Sequence, residues 1–277
     1  MAKVLTLVVA VVALAGGTFL FLGRPTNADA AVADAATTTL QAHSVDVAIS
    51  GSVGVAGTTI AFTGSGAMDF AQNAEQLSLH ESVGNQQLTE NLVYLNKVAY
   101  VSIGNEIGQI FPGKSWVSLD LSSLSSSGAA ASLGAGSSVN DPASVLQALK
   151  ADGNTVVDLG SSTLNGQSVQ GYSVHLDATA INNEIAHENL PAWMQQAVQK
   201  LVSADEVYDV YVNSSGLVVR VTVSVTATAL SESINEDVTM DFSNYGAAVS
   251  VTAPPADEVE PFQSFLQAAG SQSPSVS

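Results

Sequence analysis

Residue types able to do chemistry occur in this chain, but not in the sets that chemistry requires. His80-Glu81 and His187-Glu188 each open like the His-Glu-x-x-His motif of zinc peptidases, but no histidine follows at the required place. The four histidines, His43, His80, His175 and His187, show no other metal-ligand spacing and read as single surface or partly buried side chains. Asp205-Glu206 and Glu236-Asp237 have the types that general acid and base catalysis uses. With 25 Asp and Glu in the chain such neighbours arise by chance, and both pairs read as solvated strand ends or turns. There is no Gly-x-Ser-x-Gly elbow, no Walker A loop and no Gly-x-Gly-x-x-Gly. Cysteine is absent, which removes disulfides, thiolate metal sites and thiol nucleophiles together. Trp116 and Trp193 read as core rather than ligand platforms. The expectation is a protein without catalytic role, metal or cofactor.

Charge excludes a further class. Seven Lys and Arg stand against 25 Asp and Glu, a net charge of −18, so the surface repels nucleic acid and anionic headgroups. The charged fraction is only 12% against 46% apolar residues, and a chain of 277 residues buries a sizeable core without disulfides. This composition suits an exported, β-rich domain.

The N-terminus supports export. Val4–Leu22 is nineteen residues without a charge, preceded by Lys3 and followed by Gly23 and Arg24. At ~1.5 Å per residue it reaches roughly the thickness of a bilayer core. Ala28-Asp29-Ala30 is a small-x-small cleavage pattern. Two readings stand: a signal peptide cut after Ala30, or an uncut anchor holding the rest of the chain outside the membrane.

The remainder divides into elements by its hydrophobic period. Ala28–His43 is alanine-rich and suits a leading helix. The period then becomes two, the mark of half-buried strands, over Ser44–Ser50, Thr58–Phe70, Glu75–Ser82, Gln87–Asn96, Lys97–Gly104 and Trp116–Leu121, with Gly51–Gly57 read as a turn. Ser122–Ser138 is a Ser/Gly/Ala stretch of low complexity, read as a loop. Asp141 as N-cap and Pro142 as first helical residue start a helix to Lys150, with Val145, Leu146 and Leu149 on one face. Thr155–Leu164 and Gln167–Asp177 flank Asn165-Gly166, a strong hairpin signal. Ala178–Val202 reads as helix broken near Pro191, and Glu206–Asn213, Leu217–Ala229 and Asp237–Phe242 as strands. In Leu217–Ala229 the alternation sets Leu217, Val219, Val221, Val223 and Val225 on one face. Val249 and Val251 are expected to end the sheet, followed by a short tail helix over Pro261–Ala269. Strands followed by a helix occur twice, and no linker separates two domains.

Several segments, in this order, resemble the LppX/LprA/LprF/LprG family of actinobacterial cell-envelope lipoproteins, whose fold is LolA-like. They are Gly64-Ser65-Gly66-Ala67-Met68-Asp69-Phe70, Gly113-Lys114-Ser115-Trp116-Val117-Ser118-Leu119-Asp120, and Asp141-Pro142-Ala143-Ser144-Val145-Leu146 with the Asn165-Gly166 hairpin after it. The stretch from Val210 to Arg220 (VYVNSSGLVVR) and the closing Asp241-Phe242-Ser243-Asn244-Tyr245-Gly246 and Ala253–Val259 complete the pattern. The resemblance implies an α+β fold: a half-barrel of curved antiparallel sheet with helices on its concave face. It places this lipid-binding domain over residues 31–260, after a signal or anchor at 1–30 and before a tail at 261–277. It also implies an apolar cavity for the acyl chains of an envelope lipid or glycolipid, and a role in lipid or lipoglycan transport. In one respect the chain departs from the family: with no cysteine, the lipid attachment that follows the family's signal sequence is impossible here.

The physical case for lipid holding stands beside the resemblance. A sheet with one continuous apolar face must cover it, and helices that stand off it leave room for hydrocarbon, at ~0.8 kcal/mol per buried methylene. By alternation and helix faces the expected liners are Ile60, Phe62, Leu79, Tyr94, Tyr100, Leu146, Leu149, Tyr172, Trp193, Met194 and Val219. The alternatives are a structural or interaction protein of the envelope with a filled core, and an envelope hydrolase with an unrecognised polar cleft.

Overall fold

The structure is a computed structural model that describes residues 27–55, 58–83, 86–104, 106–120, 155–176, 205–229, 232–262 and 264. The segment Val4–Leu22, the low-complexity stretch Ser122–Ser138, and the helices expected from Pro142 to Lys150 and over Ala178–Val202 lie outside the described residues, as does nearly all of the expected tail helix. Among the described residues no helix is long and apolar enough to cross a membrane.

The chain opens with helix α1 (Asn27–Leu40) and then lays down β1 (Ser44–Val55), β2 (Thr58–Asp69), β3 (Ala74–Val83), β4 (Gln86–Leu95) and β5 (Val98–Ile103). A short helix α2 (Glu106–Ile110) leads to β6 (Trp116–Asp120), and β7 (Thr155–Leu164) and β8 (Gln167–Leu176) follow. The last strands are β9 (Asp205–Asn213), β10 (Val218–Ala229), β11 (Glu232–Ser243) and β12 (Val259–Pro261), the last preceded by a 3-10 turn, Ala256–Glu258. Among the described residues the twelve strands form one sheet in the order β12-β6-β5-β4-β3-β2-β1-β11-β10-β9-β8-β7. The described part is therefore mostly sheet with few helices, and the two strand groups seen in the sequence join through β1 and β11. Every pairing is antiparallel except β12 with β6 at one edge.

Local chemistry sets the turns and hence the register. Asn96 and Lys97 both have positive φ, 54° and 64°, as do Asn165 and Gly166, 51° and 80°. Both pairs of angles are those of two-residue hairpins whose twist matches that of the flanking strands. Asp69 Oδ1 accepts from the Gln72 N–H at 2.9 Å and shapes the β2–β3 turn. Asn213 Oδ1 accepts from the N–H groups of Ser215 and Leu217 and shapes the β9–β10 turn.

Two expectations about strand limits are corrected. Gly51 belongs to strand β1, which runs on to Val55, and not to a turn. A Cβ at Gly51 would collide with the Asp237 carbonyl oxygen and come 2.7 Å from the Phe62 ring, so glycine there answers a close approach within the sheet. Val249 and Val251 do not end the sheet: β11 stops at Ser243 and the last strand among the described residues is β12. Lys114 Nζ donates to the carbonyls of Asp257 and Val259, each at 3.0 Å, and holds that segment beside β6.

The core lies on one face of the sheet, called here the inner face. Val32, Ala35 and Ala36 of α1 pack there with Val45, Val47, Met68, Val174, Val210, Val221 and Phe242. Helix α1 touches β7 and β10. Its Thr39, fully buried, accepts a hydrogen bond at 3.0 Å from the Val218 N–H, and the Tyr245 hydroxyl donates to the Val218 carbonyl. These contacts secure both backbone polar groups of Val218 beside a β-bulge, the register shift between Val218 and Arg220.

Candidate functional site

The register assembles the inner face into transverse rows. One runs Tyr172, Val210, Val221, Met240, Ile49, Gly64, Leu79, Glu90, Ile103 across nine strands. At the ordinary spacing between strands that is roughly 40 Å of sheet. The next runs Val174, Tyr208, Val223, Val238, Gly51, Phe62, Glu81, Leu88. Beyond it lie Val225, Glu236, Val53 and Ile60, and on the other side Phe242, Val47, Gly66, Leu77, Leu92 and Val101. Apolar side chains dominate because successive residues of a strand face opposite sides and the apolar ones share a phase.

Glycine shapes the middle of this face. At Gly64 a Cβ would stand 2.5 Å from both the Ser78 carbonyl oxygen and Leu79 Cδ2, and at Gly51 the Phe62 ring occupies the corresponding place. Leu79 and Phe62 thus lie across the glycines.

The residues expected to line an apolar site sort as follows. Ile60 and Phe62, 1% and 7% exposed, share the inner face with the partly buried Leu79, Tyr94 and Tyr172. Tyr100 does not: it stands opposite Val93 and Ser118, while Val101 takes the inner position opposite Leu92 and Val117. The two-residue Asn96-Lys97 turn fixes this, because Leu95 pairs with Val98 and every later pair follows. Val219 is also corrected. The bulge shifts the phase of β10, so that Val218 and Val221, both fully buried, share the core and Val219 is only partly buried outside it. Leu146, Leu149, Trp193 and Met194 lie outside the described residues.

Sequence reading missed the polar members of the inner face. Glu75, Glu81, Glu90 and Glu236 are 2%, 1%, 5% and 3% exposed. The signal was present: Glu75, Leu77, Leu79 and Glu81 share one phase of β3, and Leu88, Glu90, Leu92 and Tyr94 one phase of β4. Glu81 stands between Phe62 and Leu88, Glu90 between Leu79 and Ile103, so the two carboxyls are diagonal neighbours with apolar flanks. Neither Glu81 oxygen, nor Glu90 Oε2, has a hydrogen-bond partner among the described residues. Burial raises the Glu81 carboxyl above its ordinary 4.5. Burial, and after it the charge of Glu81, pushes Glu90 up to about 7. Near neutral pH Glu90 is thus poised between its neutral and charged forms. No group of three or more His, Cys, Asp or Glu among the described residues is arranged to hold a metal ion.

The outer face differs. Arg220 Nε and Nη2 donate to the two oxygens of Asp241 at 2.6 and 2.8 Å, and this bond chiefly raises the guanidinium. His80 Nδ1 lies 3.1 Å from Thr89 Oγ1 on neighbouring strands.

Comparison with known proteins gives no match to a family model and no match among curated proteins. Solved structures similar to this chain include LprF from Mycobacterium bovis, 14% identical, covering 84% of this chain and 99% of that one, with a TM-score of 0.41. The lipoprotein LppX from Mycobacterium tuberculosis is also 14% identical, covering 81% of this chain and 100% of that one, with a TM-score of 0.44. MucB, solved in complex with MucA(peri), is 10% identical, covering 83% of this chain and 61% of that one, with a TM-score of 0.34.

Proposed function

We propose that this chain is an exported cell-envelope protein that holds the acyl chains of a lipid or glycolipid against the inner face of its sheet, and that it binds rather than catalyses. The observation that carries this reading is the face itself: mainly apolar rows, the longest crossing nine strands, with Phe62 and Leu79 laid over glycines in the middle. Hydrocarbon needs no directional partner, and each methylene moved there from water contributes ~0.8 kcal/mol. The net charge of −18 supports the same reading by disfavouring nucleic acid and anionic partners. Export and residence at the outer side of the plasma membrane rest on Val4–Leu22. Carriage between membranes belongs to this proposal if that segment is cut; a tether suits local handling of lipid.

The reading is tested by titrating the full chain, in mild detergent, with a neutral acyl reporter, the methyl ester of pyrenedecanoic acid. Saturable uptake near one reporter per chain is expected. Uptake that never saturates, or none, would favour a filled-core interaction protein instead.

A further inference from the structure

The buried carboxyls of β3 and β4 are foreign to a face that otherwise suits hydrocarbon. A carboxyl removed from water without a hydrogen-bond partner destabilises the fold by a few kcal/mol. Glu81 and Glu90 are 1% and 5% exposed, and the three oxygens named above have no partner among the described residues. Their strand neighbours, Phe62, Leu79, Leu88 and Ile103, offer no polar side chain. Two such groups on adjacent strands, diagonal to each other, converge on one spot of the inner face. Acceptor oxygens left open there require a donor from elsewhere.

We propose that Glu81 and Glu90 form the polar recognition point of the inner face, accepting hydrogen bonds from a hydroxyl or ammonium group of the bound lipid. The proposal rests on the acyl-holding reading and adds to it the head chemistry. A donor satisfies the open oxygens, and an ammonium also offsets their charge. Where the two carboxyls are ionised, at pH 8, a carboxylate or phosphate head brings only acceptors and a like charge, and is rejected. A lipid with an ester but no donor binds through its chain alone and leaves the oxygens unmet.

The experiment is run at pH 8, where Glu90 is ionised, with the full chain loaded with the pyrenyl reporter and four sixteen-carbon competitors: hexadecanol, hexadecylamine, methyl palmitate and palmitate. At least one of the two donors is expected to displace the reporter at a concentration about ten-fold below that of methyl palmitate, with palmitate weakest. Hexadecanol ahead of hexadecylamine identifies a hydroxyl head, and the reverse order an ammonium head. The double variant Glu81→Leu/Glu90→Leu removes both acceptors and is expected to bring the donors level with methyl palmitate while reporter uptake persists. Methyl palmitate equal to or better than both donors on the unaltered chain overturns the proposal and leaves acyl holding intact; that comparison needs no variant. Ranking unchanged in the double variant overturns it as well. Failure of the reporter and all four competitors to bind the unaltered chain removes the acyl-holding reading, and the proposal with it.

Discussion

Replacing Glu90 by glutamine gives the sharpest physical prediction. The Glu90 carboxyl is pushed from 4.5 to about 7, first by burial and then by the charge of Glu81. At 1.36 kcal/mol per pH unit the interval corresponds to roughly 3 kcal/mol of linkage between protonation and folding. The sign follows from which state gives up its proton first. Below pH 4.5 the carboxyl is protonated in folded and unfolded chains alike, and its contribution to stability is fully present. Between 4.5 and 7 the unfolded chain ionises while the folded one does not, so stability falls as pH rises. Above about 7 the folded chain carries the buried charge and the loss is complete. Glutamine has nearly the same shape and never ionises. Equilibrium urea unfolding of both proteins at pH 5, 6, 7 and 8 isolates the effect as the difference between them. Near pH 5 the two are expected to be similar, and by pH 8 Glu90→Gln is expected to be more stable by roughly 3 kcal/mol. A difference that does not change with pH, or a variant less stable than the parent at pH 8, refutes the reasoning that Glu90 sits buried among apolar neighbours.

Three further substitutions probe how the inner face is built. Thr39→Val keeps the shape but leaves the buried Val218 N–H without its acceptor, and is expected to lower stability by about 1–3 kcal/mol in urea unfolding. Tyr245→Phe removes the donor to the Val218 carbonyl from the other side, with an expected loss of about 1–2 kcal/mol in the same assay. Gly64→Ala forces a Cβ to within 2.5 Å of the Ser78 carbonyl oxygen and Leu79 Cδ2. A loss at or beyond the upper end of ~1–3 kcal/mol is expected by thermal unfolding, and full parental stability would show that the strands are not so closely packed there.

Much of the strand layout was legible because alternation is a local signal. Thr155–Leu164 was placed with its observed limits, and Asn165-Gly166 gave the hairpin through its positive φ angles. What depended on neighbours in space was not legible. Gly51 looks like a turn residue until Phe62 and Asp237 are seen against it. The phase of β10 turns on a bulge supported by Thr39 and Tyr245, which lie on other elements, so alternation alone puts Val219 on the inner face where Val218 belongs. Tyr100 and Tyr94 look alike in sequence, yet the register of one tight hairpin sets them on opposite faces. Three residues from Val259 to Pro261 join the sheet by parallel pairing with β6, which no period could announce. The buried glutamates carry a sequence signal, but an acid in a strongly acidic chain reads as solvated unless its phase is compared with that of Leu77, Leu79 and Leu92.

The central claim is that the inner face holds acyl chains, and its most direct test is native mass spectrometry of the full chain, with organic extraction, after purification from an actinobacterial host that has its envelope lipids. The account predicts one acylated lipid per chain, carrying a hydroxyl or ammonium group in its head. A clean mass of protein alone, with no uptake when such lipids are offered, would contradict it.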